Sequence, residues 1–404
     1  MAYRNVEPLV SELAEAMRND TLGLALGYNV MDARVYVCGH LPWESPSTTV
    51  NVRPWTDLDD SFCFAYVQER FGCNVERNYR HALSMAAAAN SFDPVRQMIE
   101  ALPEWDGRKR VGNMLHQFLG AADDEYTSQV ERLLFRAGIA RVYFPGVKFD
   151  HMVVLKGDQG IGKSSFCRLL ALNPAFYTDS VMGIGRKEAA ELIQGKWIVE
   201  ISELAAMRNA QLEAVKAFIT RQSDDYRSPY AHRAESKPRR CVLIGTTNAA
   251  SFLTDATGNR RFLPVECGVV DVTHNVGEES SAQTFEQAWA EALLYAQAES
   301  LEAPPRLVLP EDIANEAQNA QEDSVVEDPR IGLIGEYLSY KQVGEFACCI
   351  EVMEQALEIP PGRQERSEQM QVSEIIRTCF TGWKPCGIKK LDGYGKQRCF
   401  KKIE

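Results

Sequence analysis

Short, almost continuous apolar runs recur through the middle of the chain, each bounded by glycine or polar residues. Met152–Leu155, Trp197–Ile201 and Val242–Ile244 are long enough for buried strands but too short for helices. Stretches with apolar residues at helical spacing, such as Tyr126–Val142 and Asn209–Ile219, lie between or beside them. Strands that are apolar on both faces and alternate with helices are typical of a parallel sheet covered by helices. The pattern therefore predicts an α/β core.

Regions of different pattern flank this core and set the predicted boundaries. Between Glu302 and Arg330 the chain has eight acidic against two basic side chains, with prolines at the start. Such a composition is typical of a linker, and a helix is expected after Glu311. The predicted regions are a mixed α/β N-terminal region (1–91), a helical lead-in (92–145), the core (146–300), an acidic linker (301–330) and a basic C-terminal domain (331–404).

The C-terminal domain reverses the sign of the charge, because Gln371–Glu404 holds eight basic and three acidic side chains. A helix beginning near Ser373 is predicted before two short strands around Asp392 and Gly393, a dipeptide typical of a hairpin turn. A helix followed by a basic hairpin resembles a winged helix, which would bind DNA phosphates. The alternative is a structural cap with a charged surface. The predicted DNA contacts here are Lys389, Lys390, Lys396 and Arg398.

Composition is that of an ordinary globular protein. The 404 residues are 45% hydrophobic and 25% charged, with a net charge of −12. No apolar run reaches the roughly 18–20 residues that span a bilayer, and acidic residues stand where an export signal would be apolar. Eleven cysteines without a C-x-x-C pair favour free thiols over zinc or a disulfide framework. We expect a protein of a reducing cytosol, without a membrane partner.

The stretch that follows Met152–Leu155 matches G-x-x-x-x-G-K-[ST] at every fixed position. Its glycines allow positive φ and inward-facing N–H groups, and the next helix directs its positive dipole end at the same point. We expect a nucleoside triphosphate there, with Lys163 at the β- and γ-phosphates and Ser164 on Mg²⁺. The predicted nucleotide-binding residues are Gly157, Asp158, Gln159, Gly160, Ile161, Gly162, Lys163, Ser164 and Ser165.

Polar residues stand at the carboxyl ends of the next two buried strands, where open α/β sheets bind ligands. Glu200 and Glu203 close one strand and Asn248 follows the other. We expect Glu203 to be the catalytic base and Glu200 to hold Mg²⁺ together with Ser164, although the spacing does not fix which carboxylate does which. Asn248 is expected to align the attacking water or to contact the γ-phosphate.

Two adjacent arginines, Arg260 and Arg261, lead directly into a further predicted strand. Adjacent strand residues point to opposite faces, so at most one is expected to serve its own site. The other could complete the site of a neighbouring subunit as an arginine finger. The alternative is a pair of structural arginines in ion pairs.

Basic and aromatic side chains are interleaved in the segment before Val242–Ile244. Arg227–Arg240 holds five basic residues against one acid, and two extended arms around a turn predict a basic hairpin. This composition suits single-stranded nucleic acid, by phosphate contact and base stacking. The alternative is a solvated loop of mixed charge. The predicted DNA contacts are Arg227, Arg233, Lys237, Arg239 and Arg240.

From Phe92 to Cys267 the order of motifs resembles the virulence-associated protein E (VapE) family of phages and mobile elements. The resemblance rests on the order of FDPVRQMIEALPEWDG, YFPGVKFD, GDQGIGKSS, WIVEISEL, KAFITRQSDDYRSPY, the basic hairpin, GTTN and TGNRRF. It implies a superfamily 3-like helicase of the AAA+ class that binds ATP and Mg²⁺. One departure is that the two carboxylates are three residues apart, whereas AAA+ proteins commonly have them adjacent. The roles it implies are nucleotide and Mg²⁺ binding for Lys163 and Ser164, the acidic motif for Glu203 with Glu200, the sensor for Asn248 and the finger for Arg260 or Arg261.

The function that this resemblance implies is an ATP-driven DNA translocase or helicase for phage or mobile-element replication, in the cytoplasm of a bacterial host. Its implied partners are single-stranded or forked DNA, further copies in a homo-oligomeric ring (a hexamer is favoured) and a separate primase or replication protein. The alternative is a nucleotide-dependent initiator, loader or regulator that binds DNA without processive unwinding. A GTPase or small-molecule kinase is disfavoured, because the sequence has no N-K-x-D guanine motif and the basic hairpin would have no purpose.

Overall fold

A computed structural model describes residues 7–45, 47, 49–226, 235–253, 258–325 and 328–404. By internal packing the chain divides into two compact units, Met1–Val325 and Val326–Glu404. The first unit holds the N-terminal region and the predicted core, and the second holds the basic C-terminal domain. Within the described ranges, no helix combines the length and the apolarity that crossing a membrane requires.

The N-terminal region is a small mixed sheet packed against helices. Its strands are β1 (Leu26–Asn29), β2 (Arg34–Val37), β3 (Arg53–Pro54) and β4 (Ser91–Phe92). Its helices are α1 (Val10–Asn19), α2 (Thr21–Ala25), α3 (Asp57–Phe71) and α4 (Glu76–Ala88). The strand order is β3-β2-β1-β4, with β1 and β4 parallel and the other neighbours antiparallel. The apolar stripes of the helices, with Leu13, Met17, Val67 and Tyr79, bury against the sheet.

A parallel sheet forms the centre of the first unit. Its strands are β5 (Met152–Lys156), β6 (Tyr177–Thr178), β7 (Ile198–Ile201), β10 (Val242–Thr247) and β11 (Phe262–Glu266). The order is β11-β5-β10-β7-β6, and all neighbours run parallel. A separate antiparallel ribbon consists of β8 (Ser223–Tyr226) and β9 (Glu235–Pro238).

Helices cover both faces of this sheet. They are α5 (Pro94–Glu100), α6 (Met114–Leu119), α7 (Glu125–Tyr143), α8 (Lys163–Leu170), α9 (Lys187–Leu192), α10 (Asn209–Ile219), α11 (Glu279–Glu299) and α12 (Ala314–Glu322). Alternate residues of one strand enter different clusters: Val153 and Leu155 pack with α7 and α11, whereas Met152 and Val154 pack with α10. The predicted parallel sheet flanked by helices is confirmed.

Three aromatic side chains join α7 and α11 to the start of β7. The ring of Trp197 lies 4.3 Å from that of Trp289, which lies 4.5 Å from that of Phe135 (centroid distances). Both indoles donate hydrogen bonds to backbone carbonyls, Trp197 to Gly138 (3.1 Å) and Trp289 to Leu170 (2.8 Å). A glycine is needed at Gly138, because a Cβ there would lie 2.4 Å from the Trp289 ring. This packing fixes the sheet that carries the polar strand ends.

The segment predicted as an acidic linker (301–330) belongs to the first unit as far as Val325. Leu307, Ile313 and Ala317 are buried in its main core. Helix α12 packs on β11, and the Gln321 amide donates to the Phe262 carbonyl over 2.9 Å. The residues at 313, 317 and 321 form an inward stripe at helical spacing, while the acidic side chains point outward. The acidic composition described only the outer face of a packed helix.

The second unit is a small helical domain with an antiparallel sheet. Its elements are α13 (Arg330–Ser339), β12 (Phe346–Cys348), α14 (Cys349–Gln355), α15 (Arg366–Cys379), β13 (Trp383–Leu391) and β14 (Gly395–Lys402). The strand order is β12-β14-β13. The hairpin predicted around Asp392 and Gly393 is present, and Gly393 takes a φ of 82° in its turn. Helix α15 begins well before Ser373, because the Glu368 carboxylate accepts from the Glu365 N–H at its first turn.

Candidate functional site

The glycine loop lies at the carboxyl end of β5 and leads directly into α8. Gly157, Gly160 and Gly162 have φ angles of 152°, 89° and 97°, which residues with a Cβ rarely adopt. A Cβ on Gly157 would also lie 2.5 Å from the Cys267 carbonyl oxygen. The loop therefore has the positive-φ backbone that its glycines predict, next to the N-terminus of α8.

Lys163, the first residue of α8, is folded back onto the loop. Its ammonium donates hydrogen bonds to the carbonyl oxygens of Gly157 (2.6 Å) and Asp158 (2.8 Å) and to the Asn248 Oδ1 (3.1 Å). Burial lowers the pKa of this ammonium. The lysine thus links two predicted site elements, the loop and the end of β10, and a polyphosphate could replace its backbone acceptors.

Glu200 is buried in β7 and accepts hydrogen bonds from hydroxyl groups of three neighbouring elements. Its carboxylate accepts from Ser164 Oγ (2.7 Å), from Thr246 Oγ1 (2.7 Å) and from the Tyr177 hydroxyl (2.5 Å). Burial and the carboxylate raise the pKa of the Tyr177 hydroxyl. The sequence predicted Glu200 and Ser164 together but missed both other partners. Thr246 could have been noticed in GTTN, whereas nothing in the sequence pointed to Tyr177.

Glu203 stands beyond the end of β7 in a left-handed backbone conformation, with φ 57° and ψ 41°. This conformation costs a residue with a Cβ roughly 1–2 kcal/mol, and such strain is concentrated at functional sites. The side chain is exposed and lines a cleft of about 340 Å³. The cleft is lined by Gln159, Gly160, Gly162, Lys163, Ser164, Ser165, Ser202, Glu203, Thr246, Thr247 and Asn248.

The donor set of this cleft fits a polyphosphate with a magnesium ion. Gly160 faces open space, since a Cβ there would meet nothing within 4 Å. A hydroxyl beside a carboxylate, as in Ser164 and Glu200, is the oxygen chemistry that Mg²⁺ prefers. Of the predicted loop residues, Asp158 contributes its carbonyl to Lys163, and Ile161 packs against the main core rather than facing the cleft.

The two predicted finger arginines lie at the opposite edge of the sheet. Arg260 and Arg261 precede β11, whose Phe262 pairs with Met152 at the amino end of β5. Arg261 donates to the Gly258 carbonyl (3.3 Å), whereas the Arg260 side chain is exposed and its carbonyl accepts from the His151 ring (3.1 Å). Neither arginine lies near the glycine loop of its own chain, because a whole strand length separates both from it.

These elements fall within one family domain. Residues 99–326, more than half of the chain, match the virulence-associated protein E-like domain. The chain belongs to this VapE-like family. No curated protein is significantly similar in sequence.

Solved structures resemble the chain along nearly its whole length. The apo structure of the NrS-1 C-terminal region (305–718) has 14% sequence identity and a TM-score of 0.48, with 99% of this chain and 100% of that chain covered. An A-form apo structure of the same region has 12% identity and a TM-score of 0.45, with coverage of 94% and 96%. The VapE-like match, not these weaker likenesses, identifies the family.

Within the VapE-like domain, the basic segment differs from its prediction. Both extended arms are present as β8 and β9, but Arg227 and Arg233 lie outside the described residues. Arg239 is 3% exposed and binds Asp224 through two hydrogen bonds of 2.6 and 2.9 Å. Its role is therefore structural, which corrects its prediction as a DNA contact. Arg240 is also turned inward, to the Asp93 carboxylate. Lys237 is half-buried on β9, opposite Asp224.

Beyond the VapE-like domain, the second unit presents its predicted cations on the hairpin of β13 and β14. The side chains of Lys389, Lys390, Lys396 and Arg398 are all exposed. They are the predicted DNA contacts that the described structure leaves fully on the surface.

Proposed function

We propose that the chain is an ATP-dependent DNA translocase or helicase, with an AAA+ core like that of superfamily 3, that serves replication of a phage or mobile element. The observation that carries this proposal is the hydrogen-bonded set in which Lys163 reaches Asn248 and Ser164 reaches Glu200, beside a loop whose glycines take positive φ. Membership in the VapE-like family supports it. The proposed location is the cytoplasm of a bacterial host, where a separate primase would be a natural partner.

In the proposed reaction, backbone N–H groups of the glycine loop and the N-terminus of α8 bind the phosphates of ATP. Lys163 exchanges its backbone acceptors for β- and γ-phosphate oxygens. Ser164 and Glu200 would hold Mg²⁺, which supplies neutralisation of the phosphate charge. Glu203 is the better candidate base, because it is exposed in the cleft, whereas the Glu200 carboxylate is occupied by hydroxyl groups. When Lys163 has moved to the phosphates, the Asn248 side chain is available to orient the attacking water.

Hydrolysis is proposed to occur between subunits of a ring, with a hexamer favoured. Arg260 is exposed at the amino edge of the sheet, far from its own cleft. In a head-to-tail ring, this edge of one subunit can face the cleft of the next, where an arginine stabilises the charge of the transferring phosphoryl group. Arg261, which donates to a local carbonyl, is the weaker candidate.

The proposed substrate of this motor is single-stranded or forked DNA. In the second unit, the element order α13-β12-α14-α15-β13-β14 with an antiparallel sheet is that of a winged helix, which supports DNA binding. This same domain favours the second candidate function, a nucleotide-dependent initiator, loader or regulator that grips DNA without processive unwinding.

An ATPase assay with and without single-stranded DNA, combined with unwinding of a forked duplex, tests the proposal. A motor is expected to hydrolyse ATP faster with DNA and to separate the strands. Hydrolysis without unwinding would favour the initiator or loader. A purified chain that neither binds nor hydrolyses ATP would refute both.

A further inference from the structure

The hairpin of the second unit places like charges directly opposite each other. Lys390 pairs with Lys396, and Lys384 pairs with Lys401. Like charges at directly opposed positions of an antiparallel pair destabilise the hairpin. Lys396 and Lys401 are five positions apart on β14, so the two pairs lie on opposite faces of the hairpin. An anionic ligand across both strands at Lys390 and Lys396 would remove the repulsion of that pair, which points to a polyanion on its face.

Two lysines of the hairpin make contacts with other parts of the second unit. The Lys402 ammonium donates to the carbonyls of Leu338 (3.4 Å), Ser339 (3.4 Å) and Lys341 (2.7 Å), so it closes the end of α13. The Lys389 ammonium lies 5.7 Å from the centre of the Phe346 ring. These two lysines have structural contacts.

Three other cationic side chains lie together on one face of the hairpin. Lys390, Lys396 and Arg398 share one face of the hairpin, because Lys390 and Lys396 are opposed and residues two apart on a strand point the same way. In the part of the chain that the structure describes, none of the three forms an ion pair with a carboxylate. Ile388, 66% exposed, stands opposite Arg398 on the same face. We refer to Lys390, Lys396, Arg398 and Ile388 as the tip face.

The tip face is held in place rather than left to move freely. The Tyr394 hydroxyl donates to the Glu354 carboxylate at the end of α14 (2.6 Å) and accepts from the Gln355 amide (3.1 Å). The Gln397 amide donates to the Tyr394 carbonyl (3.0 Å). A tethered hairpin loses less conformational entropy on binding a ligand.

Helix α15 stands where a winged helix has its recognition helix, yet its charge is balanced. It carries Arg366 and Arg377 against Glu368 and Glu374. Glu365 lies immediately before its first turn, the part of a recognition helix that usually enters the major groove. Carboxylates at this end would repel DNA phosphates, so α15 is poorly suited to lead the contact.

We propose that the tip face, and not α15, is the surface of the second unit that contacts DNA, and that its ligand is the backbone of a duplex. The proposal deepens the proposed function and rests on it for DNA as the polyanion. A duplex is favoured because the tip face offers cations and an aliphatic side chain but no aromatic ring, whereas single-strand binding depends on stacking platforms.

Two double charge reversals in the full-length chain test this proposal. K390E/K396E changes the tip face, and R366E/R377E makes the same change of charge on α15 as the matched control. The probes are a duplex and a single strand of equal length, with affinities measured over a series of salt concentrations. Y394F is a third variant, because it removes the hydroxyl that holds the hairpin to Glu354 and Gln355 without any change of charge. Circular dichroism and thermal melting confirm that each variant is folded.

We expect K390E/K396E to weaken duplex binding by at least tenfold and to flatten the dependence of log K on log salt by about 2, as the loss of two phosphate contacts requires. R366E/R377E should weaken it less than threefold, and Y394F should fall between the two. An equal or larger loss for the α15 variant, or a loss confined to the single strand, would overturn the proposal. Wild-type ATP hydrolysis is measured separately, so failure of the proposed function remains distinguishable from failure of the tip face.

Discussion

Polar side chains stand both at the carboxyl edge of the central sheet, where its parallel strands end, and at the amino edge, where they begin. The two edges differ in whether these side chains contact one another. At the carboxyl edge the groups are joined to one another: Lys163 reaches Asn248, and Ser164 reaches Glu200. At the amino edge, the exposed Lys148 pairs with the nearby Asp150 (3.2 Å), and the Arg260 side chain extends from the surface.

The separation of these edges limits what each can do. A five-residue strand such as β5 spans roughly 16 Å. Arg260 can therefore not reach a nucleotide bound at the glycine loop of its own chain. In the proposed function, the linked site binds the nucleotide, whereas the exposed Arg260 at the far edge meets the nucleotide of a neighbouring subunit. The following predictions separate these two roles.

Replacement of Lys163 should have the largest effect, because its ammonium is the charge nearest to the expected phosphates. K163A is expected to lower ATP hydrolysis by at least about 10²-fold and to weaken nucleotide binding. The fold should persist, since the lost hydrogen bonds are made by one side chain that lines the cleft. Binding of a fluorescent ATP analogue and a steady-state ATPase assay measure the two effects. DNA unwinding by K163A at the wild-type rate would contradict the proposed role.

Replacement of Arg260 should reduce hydrolysis almost as strongly, by about 10²-fold or more, but leave nucleotide binding intact. R261A is the matched control at the same edge and should have the smaller catalytic effect.

Mixing variants distinguishes action within a chain from action between chains. K163A and R260A are each expected to be inactive alone, whereas a mixture should recover part of the activity. Recovery arises where a subunit with an intact Lys163 meets a neighbour with an intact Arg260. A mixture that remains as inactive as its components would contradict an interface site.

Glu203 offers a way to separate strain from catalysis at the carboxyl edge. E203Q should retain ATP binding and lose hydrolysis by about 10²-fold, because an amide cannot accept the proton of the attacking water. E203G should be equally inactive, yet as stable as the wild type or slightly more stable, because glycine tolerates the left-handed backbone. Thermal melting and ATPase rates check both variants. Full hydrolysis by E203Q would transfer the base role to another residue.

The carboxyl edge could be predicted from the sequence because its signals are local. The glycine loop, Lys163 and Ser164 are consecutive, and Glu200 and Asn248 each stand at the end of an apolar run. Contacts that depend on strand register could not be predicted. Tyr177 reaches Glu200 only because β6 pairs with β7.

The wrong predictions have the same cause, namely contacts that depend on how the strands pair. Arg239 looked like a surface cation, but the pairing of β8 with β9 brings it to Asp224, fifteen positions away in the chain. In the same way, the position of Arg260 relative to the glycine loop became clear only when β11 was found beside β5. Charge along the chain does not indicate which side of an element faces the interior.

Tyr177 should give a smaller effect at the carboxyl edge, because Glu200 keeps two other donors. Y177F is expected to lower hydrolysis about threefold to tenfold and to raise the Mg²⁺ concentration needed for half-maximal rate. Y126F is the matched control: the Tyr126 hydroxyl is also buried and donates to the Pro264 carbonyl (2.9 Å). Each variant should lose about 1 kcal/mol of folding free energy, but only Y177F should change the Mg²⁺ dependence. Equal Mg²⁺ dependence in both would assign Tyr177 to packing alone.

The smallest expected effect is a pH response confined to the amino edge. Burial lowers the pKa of His151 from its usual value of 6.5, although the hydrogen bond to the Arg260 carbonyl and the charge of Asp150 oppose the shift; the charge of Arg260 adds to it. The folded state therefore favours the neutral ring, which donates to the Arg260 carbonyl. Stability from this group is present above pH 6.5 and is lost as the pH falls through 6.5 toward the lower folded-state pKa, because the unfolded chain binds the proton first.

H151N keeps a donor near this carbonyl but cannot titrate, so it should lose less stability than the wild type between pH 6.5 and 5.5. Hydrolysis should follow the same difference, since Arg260 is held through its backbone by this ring. Nucleotide binding at the carboxyl edge should show no such difference between the two proteins. Melting temperatures, ATPase rates and analogue binding over this pH range provide the measurement. Parallel pH profiles for hydrolysis in wild type and H151N would mean that the ring does not position the amino edge.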